Sequence, residues 1–218
     1  MIVTTGRPVT LIGGGTVEPP ALAAALSRAP LVVAADGGAD AALAVGLLPD
    51  AVIGDLDSLT PATRAAIPPD RLHRIAEQDS TDFEKCLTRI DAPLILAVGF
   101  GGPRLDHLLA CLTTLVQPGH PPTILLTEAE VIFAAPSRLR LDLTPGTRLS
   151  IAPLGSVTGT SHGLRWPLDG ITLNPATRTG TSNEATGPVE MSLTGPAIIL
   201  IPVAHLDAAI NGLTSGWT

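Results

Sequence analysis

Six short apolar runs alternate with helical stretches between residues 9 and 126, and this alternation constrains the fold more than any other feature. The runs are residues 9–12, 31–35, 51–53, 72–76, 94–98 and 123–126. Stretches of helical character fall at 20–28, 39–45, 83–90 and 105–116. Continuous apolar strands separated by helices predict a mostly parallel sheet covered on both faces, because only a doubly covered strand can be apolar on both sides.

After about residue 138 the texture changes. Residues 139–143 read Leu-Arg-Leu-Asp-Leu, a strict alternation, and further short runs follow at 148–151, 170–173, 189–193 and 197–201. Thr, Ser, Gly and Pro separate them. Half-buried strands at this spacing predict a small antiparallel sandwich. The expected fold is therefore α/β plus all-β. A Rossmann-like, mostly parallel sheet with flanking helices occupies 1–133, and a β-sandwich occupies 138–218.

The ends of the first five runs carry the polar chemistry. Run one meets Gly13-Gly14-Gly15, a flexible loop suited to a phosphate. Run two ends in Asp36-Gly37-Gly38, and run three in Gly54-Asp55-Leu56-Asp57-Ser58. Run four leads to Gln78-Asp79-Ser80-Thr81-Asp82, and run five to Arg104-Leu105-Asp106-His107. In an open α/β sheet, ligands bind outside the carboxyl ends of the strands. Acids at four consecutive strand ends would thus share one rim. Asp55 and Asp57, alternate residues of an extended segment, would point the same way. Their repulsion calls for a cation, with a solvated turn as the plain alternative. Asp is a hard oxygen donor suited to Mg²⁺, and a cation-loaded acidic rim attracts a polyphosphate.

Each residue also has a structural reading. Asp36 suits the N-cap of a helix starting near Gly38. Thr81 and Glu84 fit a capping box. His107 and Arg104 read singly as a hydrogen-bonding residue and a surface cation. Trp166 is either core filler or a stacking surface for a flat cationic ring.

Composition narrows the class. The 218-residue chain is 45% hydrophobic and 15% charged, enough for a sizeable core, and its net charge of −7 disfavours wrapping nucleic acid. Twelve of the thirteen basic residues are Arg, and Lys85 is the single lysine, as GC-rich coding would give. Cys86 and Cys111 lack metal-ligand spacing and read as buried free thiols of a reducing compartment. No apolar run approaches the ~18 residues of a membrane span. No signal peptide is apparent, so a cytoplasmic protein is expected.

The order of these segments resembles the thiamine pyrophosphokinase (thiamine diphosphokinase) family. The matching pieces are the A-D-G-G-A segment at 35–39, G-D-x-D-S at 54–58, D-x-T-D at 79–82, G-G-R-x-D-H at 102–107, G-L-[KR]-[YW]-x-L at 163–168, and the Ser182-Asn183 pair. Two positions depart from the pattern: Pro103 replaces a Gly, and Gln78 stands where relatives often carry Lys. The resemblance implies transfer of the β,γ-diphosphate of ATP to thiamine, giving AMP and thiamine diphosphate. It implies a homodimer with thiamine bound between subunits, and no nucleic-acid or membrane partner. It assigns Asp55, Asp57 and Asp82 to Mg²⁺ and catalysis. Asp36, Gly37, Asp79, Thr81, Arg104, Asp106 and His107 would serve the nucleotide. Gln78, Asp82, Trp166, Ser182 and Asn183 would serve thiamine. Rival readings are a D-x-D phosphatase, a D-x-D nucleotidyl- or glycosyltransferase, a diphosphotransferase for another alcohol such as a pterin, and a non-catalytic nucleotide or thiamine sensor. The phosphatase reading is weakened by Leu59, where such sites want Thr or Val.

Overall fold

The computed structural model describes residues 1–102 and 104–215. Pro103, noted in the sequence, and Trp217, the second tryptophan, lie outside the described residues. The chain divides into two compact units, Met1–Glu128 and Ala129–Thr218.

The first unit contains β1 (Val3–Thr4), β2 (Val9–Ile12), α1 (Pro19–Leu26), β3 (Leu31–Ala35), α2 (Gly38–Ala44), β4 (Ala51–Gly54) and α3 (Pro61–Ala66). A short 3₁₀ turn, Pro69–Arg71, precedes β5 (Leu72–Arg74), α4 (Asp82–Leu87), β6 (Ile90–Asp91), β7 (Ile95–Val98), α5 (Leu105–Leu115) and β8 (Thr123–Leu126). The main sheet runs β8-β7-β2-β3-β4-β5, and every pairing in it is parallel. The strands β2, β4, β7 and β8 are buried along their whole length, which explains why they read as unbroken apolar runs. β1 and β6 form a separate two-stranded parallel pair.

Local signals set the helix starts. Pro occupies the first turn of α1 and α3, where a missing N–H costs nothing. The Thr60 and Thr81 hydroxyls cap α3 and α4 by accepting from Thr63 N and Glu84 N, both at 3.2 Å. Two elements end earlier than the sequence suggests. β5 stops at Arg74, at the sheet edge and only partly buried. α4 stops at Leu87, because Ile90 and Asp91 turn into β6 against β1.

The second unit is antiparallel throughout. It comprises β9 (Glu130–Ala134), β10 (Arg138–Leu141), β11 (Arg148–Pro153), β12 (Val157–Leu164), β13 (Thr172–Leu173), β14 (Gly180–Thr194), β15 (Ala197–Pro202) and α6 (Leu206–Thr214). The order is β9-β15-β11-β14-β12-β13, with β10 also on β14. The 15-residue β14 organises this unit: residues near Asn183 pair with β11, residues near Met191 pair with β10, and β12 lies along its other edge. The sequence pattern showed only the 189–193 part of it. The helix α6 was absent from that reading too. It lies on β10, where a Cβ on Gly212 would come 2.7 Å from the Arg140 carbonyl. No helix among the described residues is long and apolar enough to cross a membrane.

Candidate functional site

The chain runs from β2 through β3 and β4 to β5 on one side of the sheet, then returns to β7 on the other side of β2. The crossovers that follow β2 and β7 therefore run in opposite directions, toward β3 and β8, while the first residues of the two loops stay paired at the carboxyl edge. There Gly13 N donates to Val98 O and Gly15 N to Gly99 O, both at 2.8 Å. A divergence of this kind opens a crevice for ligands. A cleft of about 570 Å³ lies at this edge. Gly14, Gly15, Gly37 and Gly102 supply backbone to its wall, and Asp36, Thr81, Asp82, Arg104 and His107 supply polar side chains. Phe83 and Phe100 form its apolar part, their rings tilted by 55° with centroids 4.7 Å apart.

Asp36 leaves β3 with φ +42° and is only 3% exposed. The N-cap of α2 is Gly37, and no side chain caps that helix, so Asp36 does not serve as the cap its position suggested. Its Oδ1 is buried without a hydrogen-bond partner among the described residues. Gly54 makes room for it, since a Cβ at 54 would sit 2.7 Å from the Asp36 Cβ.

Asp55 and Asp57 do not converge through strand pleating. β4 ends at Gly54, and Leu56 takes φ +65°. The Leu56 side chain drops into a core cluster with Ala34, Ala39, Val52, Leu59 and Ile67. The Arg64 guanidinium donates to its carbonyl. Asp57 N then donates to Asp55 Oδ1 at 3.2 Å, closing a side-chain turn. One carboxylate oxygen from each of Asp36, Asp55 and Asp57 lies within 4.8 Å of the others. The expected metal trio was Asp55, Asp57 and Asp82. The geometry gathers Asp36 instead.

Asp82 is held beside this group by a lysine. Lys85 Nζ lies 3.2 Å from Asp82 Oδ1 and 3.7 Å from Asp55 Oδ2, with a side chain only 3% exposed. Sequence reasoning noted Lys85 as the single lysine but gave it no part in the site. Its position three residues after Asp82, on the same face of α4, was the available signal. Phe83 and Phe100 were not singled out either, although both follow strand ends on the rim.

Gln78 Nε2 donates to Asp55 Oδ2 at 2.9 Å, so its amide faces the acids. That hydrogen bond, with the Asp57 N–H, holds the Asp55 carboxyl below its usual range. Burial pushes the Asp82 carboxyl up, against the pull of the adjacent Lys85. Burial would lower the Lys85 ammonium, but Asp82, Asp55 and Glu77 outweigh it and raise its pKa. Asp79 turns elsewhere: its N–H donates to Glu77 at 3.0 Å, and it lines an open hollow with Glu77, Ser80 and Glu84. Arg104 and Asp106 pair with each other at 2.6 Å on the exposed lip of the cleft. Cys86 and Cys111 are buried free thiols, and burial pushes Cys111 up to about 11.

The second unit presents a different surface. Trp166 is 54% exposed, so it is not core filler. Asn183 is buried and holds the tryptophan's backbone from both sides. Its Oδ1 accepts from Trp166 N at 3.2 Å and its Nδ2 donates to Trp166 O at 2.7 Å. The Asn183 amide is therefore committed to positioning Trp166. Arg165 reaches over the indole at 5.1 Å and pairs with Glu184 at 3.3 Å. Ser182 takes φ +60°, and its N–H donates to Ser150 Oγ at 3.0 Å.

Comparison with known proteins adds to this geometry. The family model "Thiamin pyrophosphokinase, catalytic domain" matches residues 22–126, and "Thiamin pyrophosphokinase, vitamin B1 binding domain" matches 137–198. Together they span well over half of the chain. No curated protein sequence matches significantly. Among solved structures, thiamin pyrophosphokinase from Candida albicans aligns with TM-score 0.77 at 15% identity, covering 90% of this chain and 89% of its own. The Geobacillus thermodenitrificans protein aligns with TM-score 0.74 at 22% identity, covering 92% and 99%. The yeast protein gives 0.73 at 19% identity, covering 94% and 89%. At these identities the structural likeness speaks for the fold.

Proposed function

We propose that this chain, which belongs to the thiamin pyrophosphokinase family, moves the terminal diphosphate of ATP onto the hydroxyl of thiamine and releases AMP. The observation that carries the reading is the acid group at the carboxyl edge of the first unit. Asp36, Asp55 and Asp57 offer oxygens within 4.8 Å of one another, and one Asp36 oxygen is buried without a partner. A buried carboxylate with an unused lone pair is costly unless a cation takes it up. Three hard oxygens beside a glycine-walled cleft fit Mg²⁺, which prefers carboxylates, waters and substrate phosphates. Asp36, Asp55 and Asp57 would hold the ion, with Asp82 facing it from α4. When bound, the ion neutralises charge on the triphosphate and at the reacting phosphorus.

The protein's own groups supply the rest. The Gly14, Gly15, Gly37 and Gly102 backbones let a triphosphate approach closely. Arg104 exchanges Asp106 for a phosphate oxygen, and His107 and Thr81 border the nucleotide. Gln78 and Asp82 face the thiamine hydroxyl. Trp166 stacks on a thiamine ring, with Asn183 fixing its backbone and Ser182 alongside. The first unit is thus the ATP- and Mg²⁺-binding catalytic domain with a Rossmann-like sheet, and the second a thiamine-binding β-sandwich. Two copies sharing a thiamine site, in the cytoplasm, complete the proposal. The hydroxyl oxygen bonds to the β-phosphorus and gives up its proton to solvent, the bond from that phosphorus to the α–β bridging oxygen breaks, and AMP leaves with that oxygen. Positioning and charge stabilisation provide most of the acceleration in such transfers.

The test is incubation with thiamine, ATP and Mg²⁺, followed by phosphorus NMR. AMP and thiamine diphosphate in equal amounts are expected. ADP with thiamine monophosphate, binding of both ligands without turnover, or activity only with a pterin alcohol would each overturn the proposal.

A further inference from the structure

Lys85 is a buried ammonium in a chain that otherwise uses arginine for every basic side chain. It sits on α4 and reaches back toward the end of β4, touching a carboxylate from each element: Asp82 at 3.2 Å and Asp55 at 3.7 Å. Asp55 in turn belongs to the acid trio with Asp36 and Asp57. Four carboxylates thus meet at this corner of the first unit, and Lys85 is the cation placed among them. Arg64, the nearest basic residue in sequence to the trio, donates to the Leu56 carbonyl rather than to an acid. A compact ammonium suits the space, because its charge is a point on a flexible stem. The stem is enclosed, so the charge is poorly screened.

We propose that Lys85 is a positioning residue, a resident counter-ion that keeps Asp55 and Asp82 in their binding geometry before a divalent cation arrives. The inference rests on the reading of the acid trio as a Mg²⁺ site. Without Lys85 the four carboxylates would repel one another, and the loop after β4 and the start of α4 would separate. The divalent cation then takes over part of the neutralisation. Lys85 remains beside Asp82, which keeps that carboxylate oriented by a fixed cation on α4.

The proposal separates from a plain packing role by its dependence on Mg²⁺. Lys85→Met keeps most of the apolar stem and removes the charge. Its melting temperature without divalent cation should fall by about 5 °C, less than the loss of one partner of a fully buried ion pair would give, because the Asp82 side chain is 41% exposed and partly screened by solvent. At saturating Mg²⁺ without nucleotide, the deficit should shrink to about 2 °C, so Mg²⁺ raises the variant's melting temperature more than the wild type's. An equal deficit at zero and saturating Mg²⁺ overturns the proposal and leaves Lys85 a packing residue. If Lys85→Met does not fold, the double variant Lys85→Met/Asp82→Asn decides. Recovery of a cooperative transition supports the counter-ion role, since the excess carboxylate was the fault. Continued failure shows that the uncompensated carboxylate was not the fault and overturns it. Wild type whose melting temperature ignores Mg²⁺ refutes the metal reading and this inference together. Wild type that responds to Mg²⁺, with a variant whose response is no larger, refutes this inference alone.

Discussion

Gly54 is the position where one methyl group should most directly expose the working of the acid group. It ends β4 beside the end of β3, where Ile53 is in register with Ala35, the residue before Asp36. A Cβ at 54 would meet the Asp36 Cβ at 2.7 Å, its Cα at 3.1 Å and its Cγ at 3.2 Å. Ordinary carbon contacts lie near 3.5 Å or beyond, so Gly54→Ala must displace Asp36 by about 0.8 Å in a close-packed interior. The displaced atoms are backbone and Cβ, which cannot swing away like the tip of a long side chain. Overpacking of this kind costs about 1–3 kcal/mol. A shift approaching 1 Å in a catalytic group costs up to about 10²-fold in rate. The assays are urea unfolding, which reads the stability loss, and AMP formation from ATP and thiamine across a Mg²⁺ titration. Gly54→Ala should lose between about ten- and a hundred-fold in kcat/KM and need more Mg²⁺ for half-maximal rate. Gly6→Ala, where an added Cβ meets nothing within 4 Å, is the control. A Gly54→Ala protein with the wild-type Mg²⁺ response would refute the claim that Asp36 must sit where it does.

The other expectations concern residues whose surroundings differ. Asp57→Asn should abolish Mg²⁺-dependent AMP formation while leaving a cooperative unfolding transition, because Asp57 lies in an exposed turn outside the core; retained activity would remove it from the metal site. Trp166→Ala should chiefly raise the KM for thiamine, and Asn183→Ala should share that phenotype with a further stability loss of about 1–3 kcal/mol from the unpaired Trp166 peptide groups; an Asn183→Ala protein with unchanged thiamine KM would break the link between the two residues. Asp40 binds α2 to α3 by accepting from the Thr60 and Thr63 hydroxyls, both at 2.6 Å. Burial pushes its carboxyl up, but those hydrogen bonds outweigh it and hold the pKa below the ordinary 3.8. A depressed folded-state pKa gives stability that is present above 3.8 and lost as pH falls through the lower folded value. Unfolding midpoints measured from pH 5 to pH 2.5 should therefore fall more for wild type than for Asp40→Asn, and parallel curves would contradict the assignment.

Where sequence and structure agree, the physics is local or strongly periodic. Buried parallel strands must be apolar on both faces, so β2, β3, β4, β7 and β8 were visible as runs. Thr81 caps α4 as its position before Glu84 implied. The rim was legible for the same reason: acids and glycines follow strands at their carboxyl ends. The misses are non-local. α6 has helical apolar spacing at Leu206 and Ala209, yet it follows sixty residues of strand-like texture and depends on packing against β10. Only residues 189–193 of β14 read as a strand, because Gly187 and Pro188 interrupt the pattern and the polar 180–184 stretch lacks alternation; pairing on both edges makes it one strand. Asp36 looked like a cap because capping preference is set by residue type, whereas its burial comes from Gly54 on a neighbouring strand.

Backbone strain gives a pointer to the site that owes nothing to resemblance. Among the described residues, three non-glycine residues have positive φ: Asp36, Leu56 and Ser182. An L-residue there costs about 1–2 kcal/mol, and for a side chain such as Leu the conformation is uncommon. Such strain persists only where the surroundings over-determine it. Leu56 shows how: its side chain is 4% exposed, and burying a Leu returns about 1.5–3 kcal/mol, enough to hold the turn. The turn's product is the placement of Asp55 and Asp57 on either side of it. Asp36 is strained and, although its backbone N–H and carbonyl are hydrogen-bonded to Ile53 and Ala39, its buried Oδ1 has no partner among the described residues. Ser182 lies next to the asparagine that fixes Trp166. The strained positions of the first unit thus belong to the acid trio, and that of the second to the aromatic surface. A chain could fold its sheets without these conformations. Their concentration at the two places where ATP and thiamine chemistry is proposed is what a selected binding geometry, held at some cost in stability, would produce.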